Sequence, residues 1–354
     1  MDIHRIGRSI RMEKNIAKAQ EHIDRIEMEL SGLKALLEEM KQGASKAEEP
    51  LTKWQWRTDS RIILVASGDM IQIPSSIDRK KGECDLQTLS HYCDMAVQSY
   101  CQEISQKKDD LQFNIHVQKD NLTLNHLKIT ACLLIPETLH SNYRELFVEV
   151  RVDEEDYLWI EIYYVTKNGD SRKLIYSAQG IYEVVTAESE RRDIEYIFAS
   201  QIHTPKVPKE QLEEWREKGY RPVYSQNYSF YTLLKGASLA TDTSRTRGQL
   251  DINTLQKILQ RAWMKLGVYL NQYVPSNGVF EVDVSFPIHS AEYGYSSQFI
   301  HVSQKTGVGL LKLNICVQDE GVNNEKIYID YYWKDNSSKE QITFMHEIGL
   351  YGLL

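Results

Sequence analysis

The sequence predicts an α+β protein: an N-terminal coiled-coil helix followed by two tandem, diverged helix-plus-antiparallel-sheet units. Three observations carry this. Residues 9–41 hold an unbroken heptad of apolar positions. Two amphipathic stretches, opening at Asp85 and Asp251, share one spacing at an offset of 166 residues. Behind each runs a series of segments with period-two alternation, the pattern of half-buried strands.

The heptad places Ile16, Ile23, Leu30 and Leu37 at a and Met12, Ala19, Ile26, Leu33 and Met40 at d. A 3.5-residue repeat keeps such a seam against a partner helix only when the helices supercoil. The facing e and g residues include no like-charged pair, so self-association is permitted. We therefore expect a homo-oligomer held through residues 9–41, with Ile16, Ile23, Ile26, Leu30, Leu33 and Leu37 at its contact. The helix ends near Gly43, and residues 43–53 read as a polar linker.

Asp85 and Asp251 are both good helix N-caps. The apolar face Leu86, Leu89, Cys93, Ala96, Val97, Tyr100 and Ile104 repeats as Ile252, Leu255, Leu259, Ala262, Trp263, Leu266 and Leu270. Five strands follow each helix, and one strand precedes it, over 61–73 in the first unit and 224–234 in the second. Further on the offset is 169: Leu158–Tyr164 matches Ile327–Trp333, and Gly180-Ile181-Tyr182 matches Gly349-Leu350-Tyr351. A one-residue slip would exchange the strand faces, so the alternation fixes this register. The resulting boundaries are 1–45 for the oligomerisation helix, 46–200 for the first unit, 201–223 for a linker broken by Pro205 and Pro208, and 224–354 for the second. Two such units suit a pseudo-twofold arrangement, with a cleft or a shared sheet as the ligand surface.

Composition bounds the function. A net charge of −8 over 354 residues argues against a globally nucleic-acid-binding surface, so a protein is the expected partner and nucleic acid the less favoured one. No apolar run reaches the roughly 20 residues of a membrane helix. Arg5, Arg8 and Arg11 precede no apolar segment, so no secretory signal is read there and a cytoplasmic location is expected. Five Cys without a Cys-x-x-Cys pair form neither a disulfide framework nor a zinc knuckle, and no metal or cofactor is expected.

Catalytic patterns are scarce. Phosphate loops of Walker or Rossmann spacing and the Gly-x-Ser-x-Gly elbow are absent. His301-Val302-Ser303 is half of a paired-histidine phosphoesterase pattern, without its other half in the first unit. Glu281 and Asp283 project from one strand face, as metal-binding carboxylates of a nuclease would, but the accompanying acid-x-Lys pair is missing. The segment 287–297, with His289, Tyr293 and Tyr295, has the mixed character of a binding loop. Arg245 and Arg247 precede the second helix and suit a phosphate near its N-terminus, although Asp251 opposes an anion there. Tyr157, Trp159, Tyr163, Tyr328 and Tyr332 alternate along strands, and we read them as core or inter-unit contact in preference to an open face. The expectation is a non-catalytic, oligomeric interaction or scaffold protein. The rival is a hydrolase of phosphate esters or nucleic acid, or a nucleotide-type ligand sensor, with its site between the units.

Overall fold

The computed structural model describes residues 53–57, 63–67, 73–104, 112–120, 126–135, 142–168, 171–187, 207–241, 243–272, 274, 277–290, 295–321 and 324–353. Residues 1–52 divide from 53–354, which form one compact unit. The heptad residues Ile16, Ile23, Ile26, Leu30, Leu33 and Leu37 lie outside the described residues.

The first half of the unit begins with the hairpin β1 (Lys53–Arg57) and β2 (Ile63–Ser67), followed by helix α1 (Leu86–Ile104). A meander follows: β3 (Gln112–Asp120), β4 (His126–Leu134), β5 (Tyr143–Val152), β6 (Tyr157–Thr166) and β7 (Arg172–Ile181), closed by the single turn α2 (Tyr182–Val185). The second half opens with α3 (Lys209–Glu217) and the hairpin β8 (Arg221–Ser225) and β9 (Phe230–Gly236). Helix α4 (Ile252–Tyr269) leads into β10 (Val279–Val284), the short β11 (Ile288–Ser290), β12 (Tyr295–Lys305), β13 (Gly309–Asp319), β14 (Glu325–Asp335) and β15 (Ile342–Leu350).

Pairing repeats between the halves. A helix crossover makes β2–β3 and β9–β10 parallel, whereas the hairpins and meanders are antiparallel. Both meanders carry a bulge at the same place, between Ile162 and Tyr163 and between Tyr331 and Tyr332. The two sets then join: β7 pairs antiparallel with β15, giving the order β1-β2-β3-β4-β5-β6-β7-β15-β14-β13-β12-β10-β9-β8.

This overturns the expected α+β class with an N-terminal coiled coil and two units. The described chain is mainly β, one large mixed sheet with four helices among the described residues. The physical reason lies at the last strand of each meander. An unpaired edge leaves a row of N–H and C=O groups open, and β7 and β15 satisfy each other's row. Alternation along a strand reports which face is buried, not which strand lies beside it. Three boundaries also move: β1 starts inside the expected 43–53 linker, the strand expected at 61–73 is the second strand of a hairpin, and the one expected at 224–234 is broken by the turn between β8 and β9.

In the β7–β15 register Ala178 faces Glu347, the residue 169 positions further on, and flanking pairs map onto one another by the same offset. Antiparallel neighbours related in this way share a pseudo-twofold axis perpendicular to the sheet, which preserves its faces. Both long helices therefore lie on one face. Contacts agree: Lys265 on α4 donates to the Val184 and Val185 carbonyls at 3.1 and 3.3 Å, and Tyr92 on α1 reaches the Val185 carbonyl at 3.4 Å. The core fills the space between helices and sheet. Leu89, Cys93, Ala96 and Val97 of α1 and Leu255, Leu259, Ala262 and Trp263 of α4 pack there with Val148, Ile160, Leu313, Ile315 and Ile329. Each helix starts on its aspartate: Asp85 accepts from the Thr88 N–H at 2.7 Å and Asp251 from the Thr254 N–H at 2.8 Å.

Candidate functional site

The opposite face carries neither long helix; over its β8–β9 end lies the short α3, whose Trp215 ring packs 5.8 Å from Tyr231. Tyr157, Trp159 and Tyr163 lie there with Tyr328 and Tyr332, since their strand neighbours Leu158, Ile160, Ile162, Ile327, Ile329 and Tyr331 point into the core. The expectation of a core role is thus corrected for this stripe, although Tyr163 is itself buried among its neighbours. The helix-side aromatics are instead Tyr164, Tyr176 and Tyr331.

On this face of the second half, a groove of about 410 Å³ runs across β9, β10, β12 and β13. Its lining includes Lys235, Glu281, Asp283, His301, Ser303 and Lys312. Strand register builds it. Asp283 sits beside Lys235 on one side and His301 on the other, and His301 sits opposite Asn314. One row along, Glu281 faces Ser303, which faces Lys312. The small Ser303 side chain leaves the floor between a carboxylate and an ammonium.

Hydrogen bonds limit the chemistry. His301 Nδ1 is 2.9 Å from Asn314 Oδ1, and Asn314 Nδ2 reaches the Tyr332 hydroxyl at 3.4 Å. Tyr220 hydrogen-bonds to Glu281. Burial first, then the charges of Glu281 and Asp283, raise its phenol pKa above the ordinary value. Among the described residues no group of three His, Cys, Asp or Glu side chains is arranged to hold a metal. Glu281, Asp283 and His301 share the groove.

The remaining sequence candidates lie elsewhere. His289 is on β11 and pairs with Ser296, five residues before His301 along β12, or roughly 16 Å at the rise of an extended strand. Tyr295 begins β12 opposite Ser290, and Tyr293 lies outside the described residues. Arg247 donates to Asp319 at 2.8 Å and to the Gly321 carbonyl, again five residues from the Asn314 register. Arg245 forms a two-pronged pair with Glu325 at 2.5 and 3.0 Å, and its guanidinium stacks 3.7 Å above the Tyr351 ring. Both arginines already hold carboxylates, so the phosphate-binding expectation gains no free guanidinium.

Arg245 has a counterpart in the first half. Arg79 grips Asp156 at 2.7 Å through both nitrogens and stacks 3.7 Å above Tyr182. Asp156 also accepts from the Gly82 N–H at 2.9 Å, and Glu325 from the Gly248 N–H at 2.7 Å. Tyr182 donates to Asp85 at 2.8 Å and Tyr351 to Asp251. Each half thus locks its helix start to the end of its sheet with the same parts. Burial opposes ionisation of Asp156, but the Arg79 and Gly82 hydrogen bonds outweigh it and hold the carboxyl below its ordinary range.

Sequence reasoning missed Tyr220, Lys235, Lys312 and Asn314. Lys312 and Asn314 alternate with Leu311, Leu313 and Ile315, which places them on the outward face, but only the strand register shows that this face adjoins His301.

Comparison with known proteins returns no matching family, curated protein or solved structure.

Proposed function

We propose that this chain is a non-catalytic, oligomeric interaction protein of the cytoplasm. Its residues 9–41 associate copies with one another, and its sheet face opposite α1 and α4 receives a protein partner. The observation that carries the reading is the placing of both long helices on one side of the sheet. Helices α1 and α4 share a face, and the other presents cross-strand rows of half-buried aromatic side chains beside charged ones. Multiple copies strengthen attachment to a repetitive partner without new contacts. Cys84, Cys93, Cys132 and Cys316 are free thiols, which supports a reducing compartment, and no described helix is long and apolar enough to cross a membrane. A pull-down with the full chain, repeated with Tyr328→Asp and Trp159→Asp, tests the face: a specific partner should be lost from both variants. Retention by both would remove the face from the account.

A second reading is favoured by one observation, the gathering of Glu281, Asp283 and His301 in a groove. Under it the chain hydrolyses a phosphate ester, and His301→Ala abolishes the activity while the fold survives. Phosphodiester and phosphomonoester turnover by the purified chain separates the two readings.

A further inference from the structure

The repeat supplies an internal control for the groove. Strand register equates Glu281, Ser303 and Lys312 with Asn114, Cys132 and Phe147, because each trio crosses the corresponding strands in one row and meets the equivalent tyrosines, Tyr332 and Tyr163. The first half fills these positions without charge: Phe147 stacks on Tyr163, with ring centres 5.2 Å apart. The fold therefore does not require charges here. The first half does place a carboxylate on this face, Glu149, but ties it to Lys128 at 3.0 Å, Arg151 at 3.3 Å and the Tyr163 hydroxyl at 2.7 Å. In the second half Glu281, Asp283, Lys235 and Lys312 form no ion pair with any described residue. Two carboxylates and two ammonium groups thus line one groove, none in an ion pair with a described residue and Glu281 held only by the Tyr220 hydroxyl, in the half whose twin shows that the Glu281 and Lys312 positions can be neutral.

We infer that this groove binds a polypeptide segment carrying one cationic and one anionic side chain, the cation toward Glu281 and Asp283 and the anion toward Lys312. The inference rests on the protein-binding reading above and names the chemistry of the partner. Geometry sets the spacing. β10 and β13 stand two strand separations apart, about 9.5 Å, with Ser303 between their side chains. Side chains two positions apart on an extended peptide are about 6.6 Å apart at the backbone, and the reach of lysine and glutamate covers the difference. A purely acidic ligand meets Glu281 and Asp283, and a purely basic one meets Lys235 and Lys312. The groove thereby discriminates by repulsion as well as attraction.

The test uses the full chain and three pools of end-capped octapeptides. One pool carries a lysine and a glutamate two positions apart, one carries two lysines, and one two glutamates. Binding is read by fluorescence anisotropy. The mixed pool should bind best. Glu281→Lys and Lys312→Glu should each weaken it at least tenfold, and the double exchange should restore it, since the peptide can then lie in the reverse direction. Neither variant removes an ion pair, and equal melting temperatures exclude misfolding. Preference for the two-glutamate pool would overturn the inference and favour the phosphate-ester reading. Mixed-pool binding indifferent to both substitutions would overturn the groove while leaving protein binding intact. If no pool is retained, the inference fails, while the pull-down with Tyr328→Asp and Trp159→Asp still decides the broader reading.

Discussion

Ala178 lies directly opposite Glu347 across the junction of β7 and β15, and the two are equivalent residues of the repeat. The twofold is thus broken at its own axis. Glu347 is only 1% exposed and draws donors from both halves: Tyr176 at 3.0 Å from the first, and Tyr331 and Arg261, each at 2.8 Å, from the second. A buried carboxylate so surrounded marks one register of the joint, because a slip would strand it among apolar neighbours.

Removing that carboxylate should therefore weaken the whole sheet. Glu347→Ala leaves the Arg261 guanidinium without this buried partner, and loss of one member of such a pair costs about 3 kcal/mol. Urea unfolding should show a lower midpoint, with Arg261→Met in the same chain recovering part of the loss. An unchanged midpoint for Glu347→Ala would show that the joint does not depend on this cluster.

The twin arginine locks predict matched effects. Arg79→Lys and Arg245→Lys keep the charge but lose the two-pronged grip and the stacking over Tyr182 and Tyr351. Each should cost about 2 kcal/mol, and the double variant close to the sum, because the sites share no partner. Thermal unfolding of the three variants checks this.

The turn glycines should differ in tolerance. Both have positive φ, +82° at Gly82 and +79° at Gly248. A Cβ at Gly248 would lie 2.5 Å from Ser296 Oγ and 2.7 Å from its carbonyl oxygen, whereas at Gly82 the nearest atom is the Asp153 carbonyl oxygen at 3.3 Å. Gly82→Ala should cost about 1–2 kcal/mol, the backbone penalty alone. Gly248→Ala adds overpacking of about 1–3 kcal/mol. Equal costs would count against the packing described at Ser296.

Acid should unfold the protein through its held carboxylates. Burial opposes the charge of Glu149 and of Asp156, yet hydrogen bonds from Tyr163 and Lys128 to Glu149, and from Arg79 and Gly82 to Asp156, outweigh it and lower both pKa values. A carboxyl with a folded pKa below its unfolded one contributes stability that is full above the unfolded value and is lost as pH falls through the folded one. Stability should thus drop as pH falls below the ordinary carboxylate range, and Asp156→Asn should flatten that dependence. Denaturant midpoints between pH 2 and 7 measure it.

Legibility of this fold divided by the range of the interactions involved. Local chemistry was plain: Asp85 and Asp251, 166 residues apart, cap the helices as expected, and the offset of 169 recurs in the register. The Arg-x-x-Gly run ahead of each capping aspartate, Arg79 with Gly82 and Arg245 with Gly248, also stood in the chain at the same offset. Its meaning was hidden because the partners Asp156 and Glu325 follow 77 and 80 residues later. Arg245 alone therefore read as an anion ligand. The β7–β15 joint was invisible for a related reason, since an edge strand and a central strand alternate alike. In the groove, Glu281, Asp283 and His301 were legible as outward strand residues, whereas Lys235 and Lys312 join them only through pairing.

The central claim is an interaction protein that self-associates through residues 9–41. Light scattering coupled to size exclusion, on the full chain and on a chain starting at residue 46, tests it most directly. The account predicts a homo-oligomeric mass for the full chain and a monomeric mass for the shortened one, whose sheet residues 53–354 form one compact unit. A full chain that runs as a monomer, or an assembly whose order survives the deletion, would contradict it.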